Sequence, residues 1–328
     1  MALTKKATCD FKRKTLRQLK KKVTLKPSFN LYDLHYEEPK EKDLAVGLVY
    51  FNASKSKRLL MNYLYVAEKF KVSNIPFFTL EMHDETEPPE IKDAFHVKTD
   101  FILFQKERLC HLLEKMIPKS FTKLLFLDSD LLFENGNWYN ELSLKLDTFN
   151  VVQPFSMGVW LDITYKQVVK QRMPIIFYNK FGKLSMEGGI GGYHPGFAWG
   201  FQRQWFKDYG FFQEGVLGDG DTLSSTVWLD YPEFEYKDFI LPAIEDFRAL
   251  IKEKPTICFL EGSVYHLWHG DQKKRQYTKR RKIFKGIKDI RDILYTAPNG
   301  LYALKNNKLK AKIRNYFMKR DDDGLPVE

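Results

Sequence analysis

The chain has 328 residues, 44% of them hydrophobic and 15% aromatic; this excludes a disordered or fibrous chain and suffices for one large domain or two smaller ones. No apolar run approaches the roughly 18 residues of a membrane span, and the start, MALTKKATCDFKRK, lacks an apolar core, so neither a span nor a secretion signal is expected. The net charge of +11 gathers at two basic ends, 1–26 and 273–320, around an acidic middle. That pattern speaks against a core that grips nucleic acid and suits contact with an anionic membrane or substrate.

Residues 1–42 read as a basic N-terminal arm and linker. The globular pattern begins at Leu44, where AVGLVYF (45–51) is a short apolar run rich in β-formers and predicts a buried strand. Leu59, Leu60, Tyr63, Leu64, Val66, Ala67 and Phe70 recur at helical spacing and predict a helix over 55–70, with Ser54 as N-cap. IPFFTLEM (75–82) predicts a second strand, 105–116 an amphipathic helix stopped by Pro118, 123–127 a third strand and 150–155 a fourth. Strands alternating with helices predict a mainly parallel α/β sheet covered on both faces. The second half turns glycine-rich, at EGGIGGYHPG (187–196) and EGVLGDGD (214–221), which read as loops around a site. TICFL (256–260) is a further strand, and a basic helical extension is expected over 273–328. Cys9, Cys110 and Cys258 are odd in number and far apart, which argues against a disulfide framework or a CxxC zinc site and for a reducing, cytoplasmic location.

The sharpest feature is KLLFLDSDLLF (123–133). Four apolar residues lead into Asp128, Ser129 and Asp130, and in an extended chain the two acids share a face. Two carboxylates at the end of a buried strand repel each other and are costly to desolvate; a divalent cation removes that penalty. Ligands of open α/β sheets bind beyond the carboxyl ends of the strands, where this pair falls. Oxygen ligands suit Mg²⁺ or Mn²⁺ and leave room for phosphate. Asp-x-Asp also occurs at 219/221 and at 321/323; the latter sits in a polar tail and reads as solvated charge. No Gly-x-Gly-x-x-Gly follows the first strand and no P-loop is present, which disfavours a dinucleotide-dependent dehydrogenase, a kinase and an ATPase.

A strand ending in Asp-x-Asp after an N-terminal β/α half resembles the A-type (GT-A fold) nucleotide-sugar glycosyltransferases. GYHPGFAWGFQRQWF (192–206), GVLGDGDTLSSTVW (215–228) and VYHLWHGDQKKRQYTKRR (264–281) resemble, in the same order, three further segments of such enzymes, including glycan-building enzymes of bacteria and large DNA viruses. The resemblance covers roughly 44–284. It implies a GT-A-like, Rossmann-type mixed sheet flanked by helices, with a catalytic domain over 43–272 divided into a nucleotide-binding half (43–133) and an acceptor half (134–272). It also implies a nucleoside-diphosphate sugar as donor, a glycan or glycoconjugate hydroxyl as acceptor, and Mn²⁺ or Mg²⁺ as cofactor.

By that resemblance Asp130 binds the metal directly, and Asp128 binds the donor ribose or the metal through water, beside Ser129. A late histidine, His266 or His269, completes the coordination; imidazole favours Mn²⁺. Inverting transfer needs a carboxylate base, for which Asp221 is the first choice and Asp219 the second, both at a predicted helix start. Gly220 would let backbone approach the sugar, and Phe197 and Trp199 could wall a sugar ring or equally be core aromatics. Phe51, Asn52 and Arg58 mark the nucleotide end, and Lys273 could clamp the diphosphate. The competing readings are a sugar-phosphate nucleotidyltransferase, disfavoured because 51–58 lacks glycine, and a non-catalytic binder that uses its basic ends on nucleic acid or anionic lipid.

Overall fold

The first strand sets the frame. The structure, a computed structural model, describes residues 22–26, 29–177, 192–231, 234–270, 280–320 and 322–323. Within it β1 (Leu44–Tyr50) is buried at all seven positions, as an uninterrupted apolar run at the centre of a sheet must be. Gly47 leaves room for the Phe126 ring, which a Cβ would meet at 2.8 Å. β2 (Phe77–Asp84), β3 (Phe95–Thr99) and β4 (Lys123–Leu127) follow in chain order; β3 was not anticipated. Between β1 and β2 lies α1 (Lys57–Val72), which buries Tyr63, Val66, Ala67 and Phe70. Leu64 of its expected apolar face is exposed. The N-cap is Ser56, whose hydroxyl accepts from the Leu59 N–H, and not Ser54. α2 (Lys106–Met116) precedes β4.

After β4 come the short β5 (Leu131–Phe133), α3 (Trp138–Leu146), β6 (Val151–Gln153), β7 (Met157–Leu161) and β8 (Val168–Pro174). Then follow β9 (Tyr193–His194), β10 (Ala198–Gln202), α4 (Arg203–Asp208), α5 (Gly220–Trp228), α6 (Leu241–Leu250), β11 (Ile257–Phe259) and β12 (Ser263–His266). Among the described residues the main sheet has seven strands in the order β11-β6-β10-β4-β1-β2-β3. All its pairings are parallel except those of β10, which runs antiparallel to both β4 and β6. This is a Rossmann-type mixed sheet, mainly parallel and flanked by helices. A second sheet has the order β5-β12-β7-β8-β9, with β12 antiparallel to β5 and parallel to β7.

The C-terminal extension holds one longer helix, α7 (Asn307–Met318), capped by the Asn306 side chain. Ahead of it stand the hairpin β13 (Leu294–Thr296) and β14 (Tyr302–Leu304), which composition did not foresee. Leu309, Ile313 and Phe317, at successive turns of α7, join a second hydrophobic cluster with Leu103, Phe212, Ile244 and Phe247. The basic residues thus ride on a helix with a buried stripe. Among the described residues no helix is long and apolar enough to cross a membrane. Cys110 is a buried free thiol, and Cys9 lies outside the described residues.

Candidate functional site

A cleft with about 780 Å³ of water-accessible space opens beyond the carboxyl ends of β1 and β4. Phe51, Asp128, Ser129 and Asp130 line it from those strand ends, and Asp219, Asp221 and His266 face it from other elements. Its size lies in the range that encloses a small organic ligand.

β4 stops at Leu127, and 128–130 form a turn, not the extended chain expected. Two backbone hydrogen bonds fix this turn: the Asp128 N–H donates to Phe197 O at 2.9 Å, and the Leu267 N–H donates to Asp130 O at 2.9 Å. The second bond ties the end of β12 to the acidic turn and brings His266 and His269 to Asp130. The Asp130 Oδ2 is 3.4 Å from His266 Nε2 and 2.8 Å from His269 Nε2. One carboxylate oxygen and two imidazole nitrogens, all from buried residues, lie within 4.8 Å of one another. This donor set fits a divalent transition-metal ion, for which imidazole nitrogen and carboxylate oxygen are suitable ligands. Both histidines join it.

Asp128, expected as a further metal ligand, stands outside the cluster. Its Oδ1 accepts from Lys106 Nζ at 2.5 Å. Lys106 sits in the first turn of α2, where sequence shows only an ordinary polar helix start. Burial works against its ammonium, but the pull of Asp128, Asp221 and Glu107 outweighs that and keeps it protonated. Beside it Glu107 is 2% exposed, and its Oε2 has no hydrogen-bond partner among the described residues. Burial pushes the Glu107 carboxyl up to about 8, against the opposing Lys106 charge and with the Asp221 charge adding to the rise.

The Gly-Asp-Gly-Asp loop leads into α5 from the opposite wall. Asp219 has a left-handed φ of 75° and bonds two guanidiniums, Arg280 Nη2 at 2.7 Å and Arg281 Nε at 2.9 Å. Burial alone would raise its pKa; Arg280 and Arg281 overcome this and hold it below the usual carboxylate range. A carboxylate so occupied is a poor proton acceptor, which leaves Asp221. Its Oδ1 accepts from the Thr222 N–H at 2.6 Å, and a Cβ at Gly196 would collide with its Oδ2. The Gly220 Cα packs against the Glu107 carboxyl, which a Cβ there would meet.

Phe197 lines the cleft with a φ of 80°, unusual for a bulky residue. Its ring stacks on His266, with centroids 5.5 Å apart, and lies over Gly158, where a Cβ would meet it at 2.8 Å. Trp199 is instead a core aromatic: its Nε1–H donates to Pro195 O at 2.7 Å and its ring meets Trp228 edge-on. Asn52 is structural too, holding its own loop by bonds to the Ser56 N–H and carbonyl. The Arg58 guanidinium lies over the Trp268 ring, 5.5 Å from its centroid, away from the cleft lining. Lys273 lies outside the described residues, as do 178–191 and with them the first half of the first glycine-rich segment.

Sequence reasoning missed Lys106, Glu107, His194 and Asp322. His194 stood within the quoted GYHPGFAW segment without a role; it lines the cleft, its Nε2 has no hydrogen-bond partner among the described residues, and burial, aided by Arg172 and Lys170, holds its pKa well below the usual value. Asp322, between the two acids of the 321/323 pair, is 3% exposed, and Asp323 of that pair, read as solvated charge, accepts from Ser56 Oγ and the Arg58 N–H.

No family model matches the chain, and no curated protein matches it. Among solved structures it is similar to Drosophila β1,4-galactosyltransferase 7 in complex with manganese, UDP-Gal and xylobiose, at 13% identity over 87% of this chain and 77% of that one, with a TM-score of 0.34. It is similar to glucosyl-3-phosphoglycerate synthase of Mycobacterium tuberculosis in complex with Mn²⁺, UDP-glucose and phosphoglyceric acid, at 14% identity over 80% and 86%, TM-score 0.34. A third similar structure is 4-diphosphocytidyl-2C-methyl-D-erythritol synthase of Anaerococcus prevotii, at 9% identity over 67% and 87%, TM-score 0.33. The first two belong to the class of nucleotide-diphospho-sugar transferases that the sequence resembles.

Proposed function

We propose that the chain is a metal-dependent glycosyltransferase that moves a sugar from a nucleoside-diphosphate sugar to a hydroxyl of a glycan or glycoconjugate, with inversion. The observation that carries this reading is the cluster of Asp130, His266 and His269 at the carboxyl rim of a parallel sheet, in one cleft with Asp221. We place the catalytic unit at 43–272, with 273–328 contributing a wall through Arg280, Arg281 and Phe317.

Asp130, His266 and His269 would hold the cation, which when bound supplies Lewis-acid stabilisation of the departing diphosphate. Lys106 offsets part of the cost that burial imposes on the Asp128 carboxylate and adds positive charge beside the phosphates. Asp221 takes the proton from the acceptor hydroxyl as its oxygen bonds to the anomeric carbon, and the bond to the nucleoside diphosphate breaks with its electron pair. Phe197 and Trp160 give the sugar an apolar wall. Mn²⁺-dependent hydrolysis or transfer from a panel of UDP- and GDP-sugars tests the reading; failure of every donor, with or without acceptor glycans, would refute it.

A further inference from the structure

One buried carboxylate on the C-terminal wall has no part in the chemistry above. Beyond α7 the chain turns back so that Arg320 and Asp322 line the cleft. Asp322 is 3% exposed although its surroundings in sequence are wholly polar. Its Oδ2 accepts from Ser54 Oγ at 2.8 Å, and its Oδ1 accepts from Arg320 Nη2 at 3.0 Å and Nε at 3.3 Å. The same Oδ1 lies 3.9 Å from Nδ1 of His269. The opposite ring nitrogen, Nε2, is the one that faces Asp130 at 2.8 Å. Asp323 fastens this turn: its Oδ1 accepts from Ser56 Oγ at 2.6 Å and from the Arg58 N–H at 2.9 Å, at the start of α1.

An imidazole can offer a lone pair to a cation through one nitrogen only while the other carries the proton. A carboxylate beside that second nitrogen fixes the tautomer and the ring plane, and its loss typically costs about 10- to 100-fold in metal affinity. His269 stands between two carboxylates in that order, Asp130 at Nε2 and Asp322 at Nδ1. A solvated tail residue would have no reason to give up its hydration for this place. Arg320 and Ser54 compensate the burial, and Asp323 sets the reach of the turn.

The geometry points to Asp322 as a positioning residue of the metal site: once a cation takes the Nε2 lone pair the His269 proton must sit on Nδ1, and Asp322 faces that nitrogen and orients the ring toward the cation beside Asp130. The inference rests on the metal-dependent reading above, and it makes the last turn of the described chain part of the donor site. The ion pair with Arg320 alone would anchor the tail without touching metal affinity, so the two roles separate by measurement.

Mn²⁺ binding to the full chain, followed by the electron paramagnetic resonance of free Mn²⁺, is the test. Asp322→Asn should weaken binding about 10- to 100-fold at a temperature where circular dichroism shows the metal-free variant folded. Binding within twofold of the unaltered chain would overturn the inference and leave the proposed function standing. No Mn²⁺ binding by the unaltered chain would remove both. A second measurement needs no variant of Asp322: nitrogen-15 histidine spectra of the Zn²⁺-loaded unaltered protein should show His269 bound to the metal through Nε2 with its proton on Nδ1, identified by its loss in His269→Gln. Binding of the metal through Nδ1 would overturn the inference.

Discussion

Replacing Gly220 by alanine tests how the acid-rich wall of the cleft is built. At this first residue of α5 a Cβ would lie 2.8 Å from Glu107 Cγ and closer still to its Cδ and Oε2. Glu107 is 2% exposed, so its carboxyl has little room to swing aside. One extra methyl in a filled site costs about 1–3 kcal/mol, and the better helix propensity of alanine returns at most about 1 kcal/mol. A net loss of roughly 1–2 kcal/mol is expected. Urea unfolding should show it as a lower midpoint at unchanged slope. Glu107→Ala opens the space that the new methyl needs, so the double variant should be more stable than the sum of the two single effects predicts, by about 1 kcal/mol or more. Gly220→Ala as stable as the unaltered chain, or strict additivity with Glu107→Ala, would show that the contact is not what requires glycine. If the glycine instead served the sugar, the substitution would raise the acceptor KM and leave the urea midpoint in place.

Asp130→Ala should abolish both Mn²⁺ binding and donor turnover; titration calorimetry with Mn²⁺ checks the first without relying on activity. Asp221→Asn should lower kcat by about 10²- to 10⁴-fold while leaving donor affinity, measured by competition with the free nucleoside diphosphate, nearly unchanged. Asp219→Asn tests a structural acid. Because Arg280 and Arg281 depress its folded pKa, its stabilisation is present above the unfolded carboxylate value of about 4 and fades as pH falls below it. The urea midpoint of Asp219→Asn should therefore lie below that of the unaltered chain at pH 7, and the two should converge under acid. Glu107 has the opposite sign. With its folded pKa raised to about 8, the unfolded chain sheds this proton first, so stability is lost as pH rises from about 4.5 to about 8. Glu107→Gln should remove that slope, and an unchanged pH dependence of its urea midpoint would count against a neutral buried carboxyl.

What the sequence disclosed follows the local chemistry of each segment. β1 and β4 were legible because a strand buried on both faces is an unbroken apolar run, and Asp128–Asp130 stood out because acids interrupt one of those runs. α1 was legible from the spacing of Tyr63, Val66, Ala67 and Phe70, although its cap was misplaced by two residues because either serine could cap. The second sheet was not legible. β5 has three residues and pairs with β12 more than a hundred positions away, and β8, VVKQRMP, carries its charges within the strand. Lys106 and Glu107 look like the solvated start of any helix; only the arrival of α5 and the acidic turn against them makes them buried site residues. Asp322 fails for the same reason, since its burial depends on Ser54 and Arg320 and on nothing within its own polar stretch but the latter.

The two Asp-x-Asp pairs of the cleft share one electrostatic solution. Two carboxylates two residues apart in a poorly hydrated space cannot both remain charged without compensation. In each pair the first acid is matched by a basic side chain from a distant segment: Asp128 by Lys106, Asp219 by Arg280 and Arg281. Asp130 is turned to two imidazoles, and Asp221 remains at the helix start, facing the same cleft. The basic partners therefore divide labour between acids that sequence alone leaves equivalent. That division explains why the ligand cluster holds one member of the first pair, and why the base is to be sought in the second member of the other.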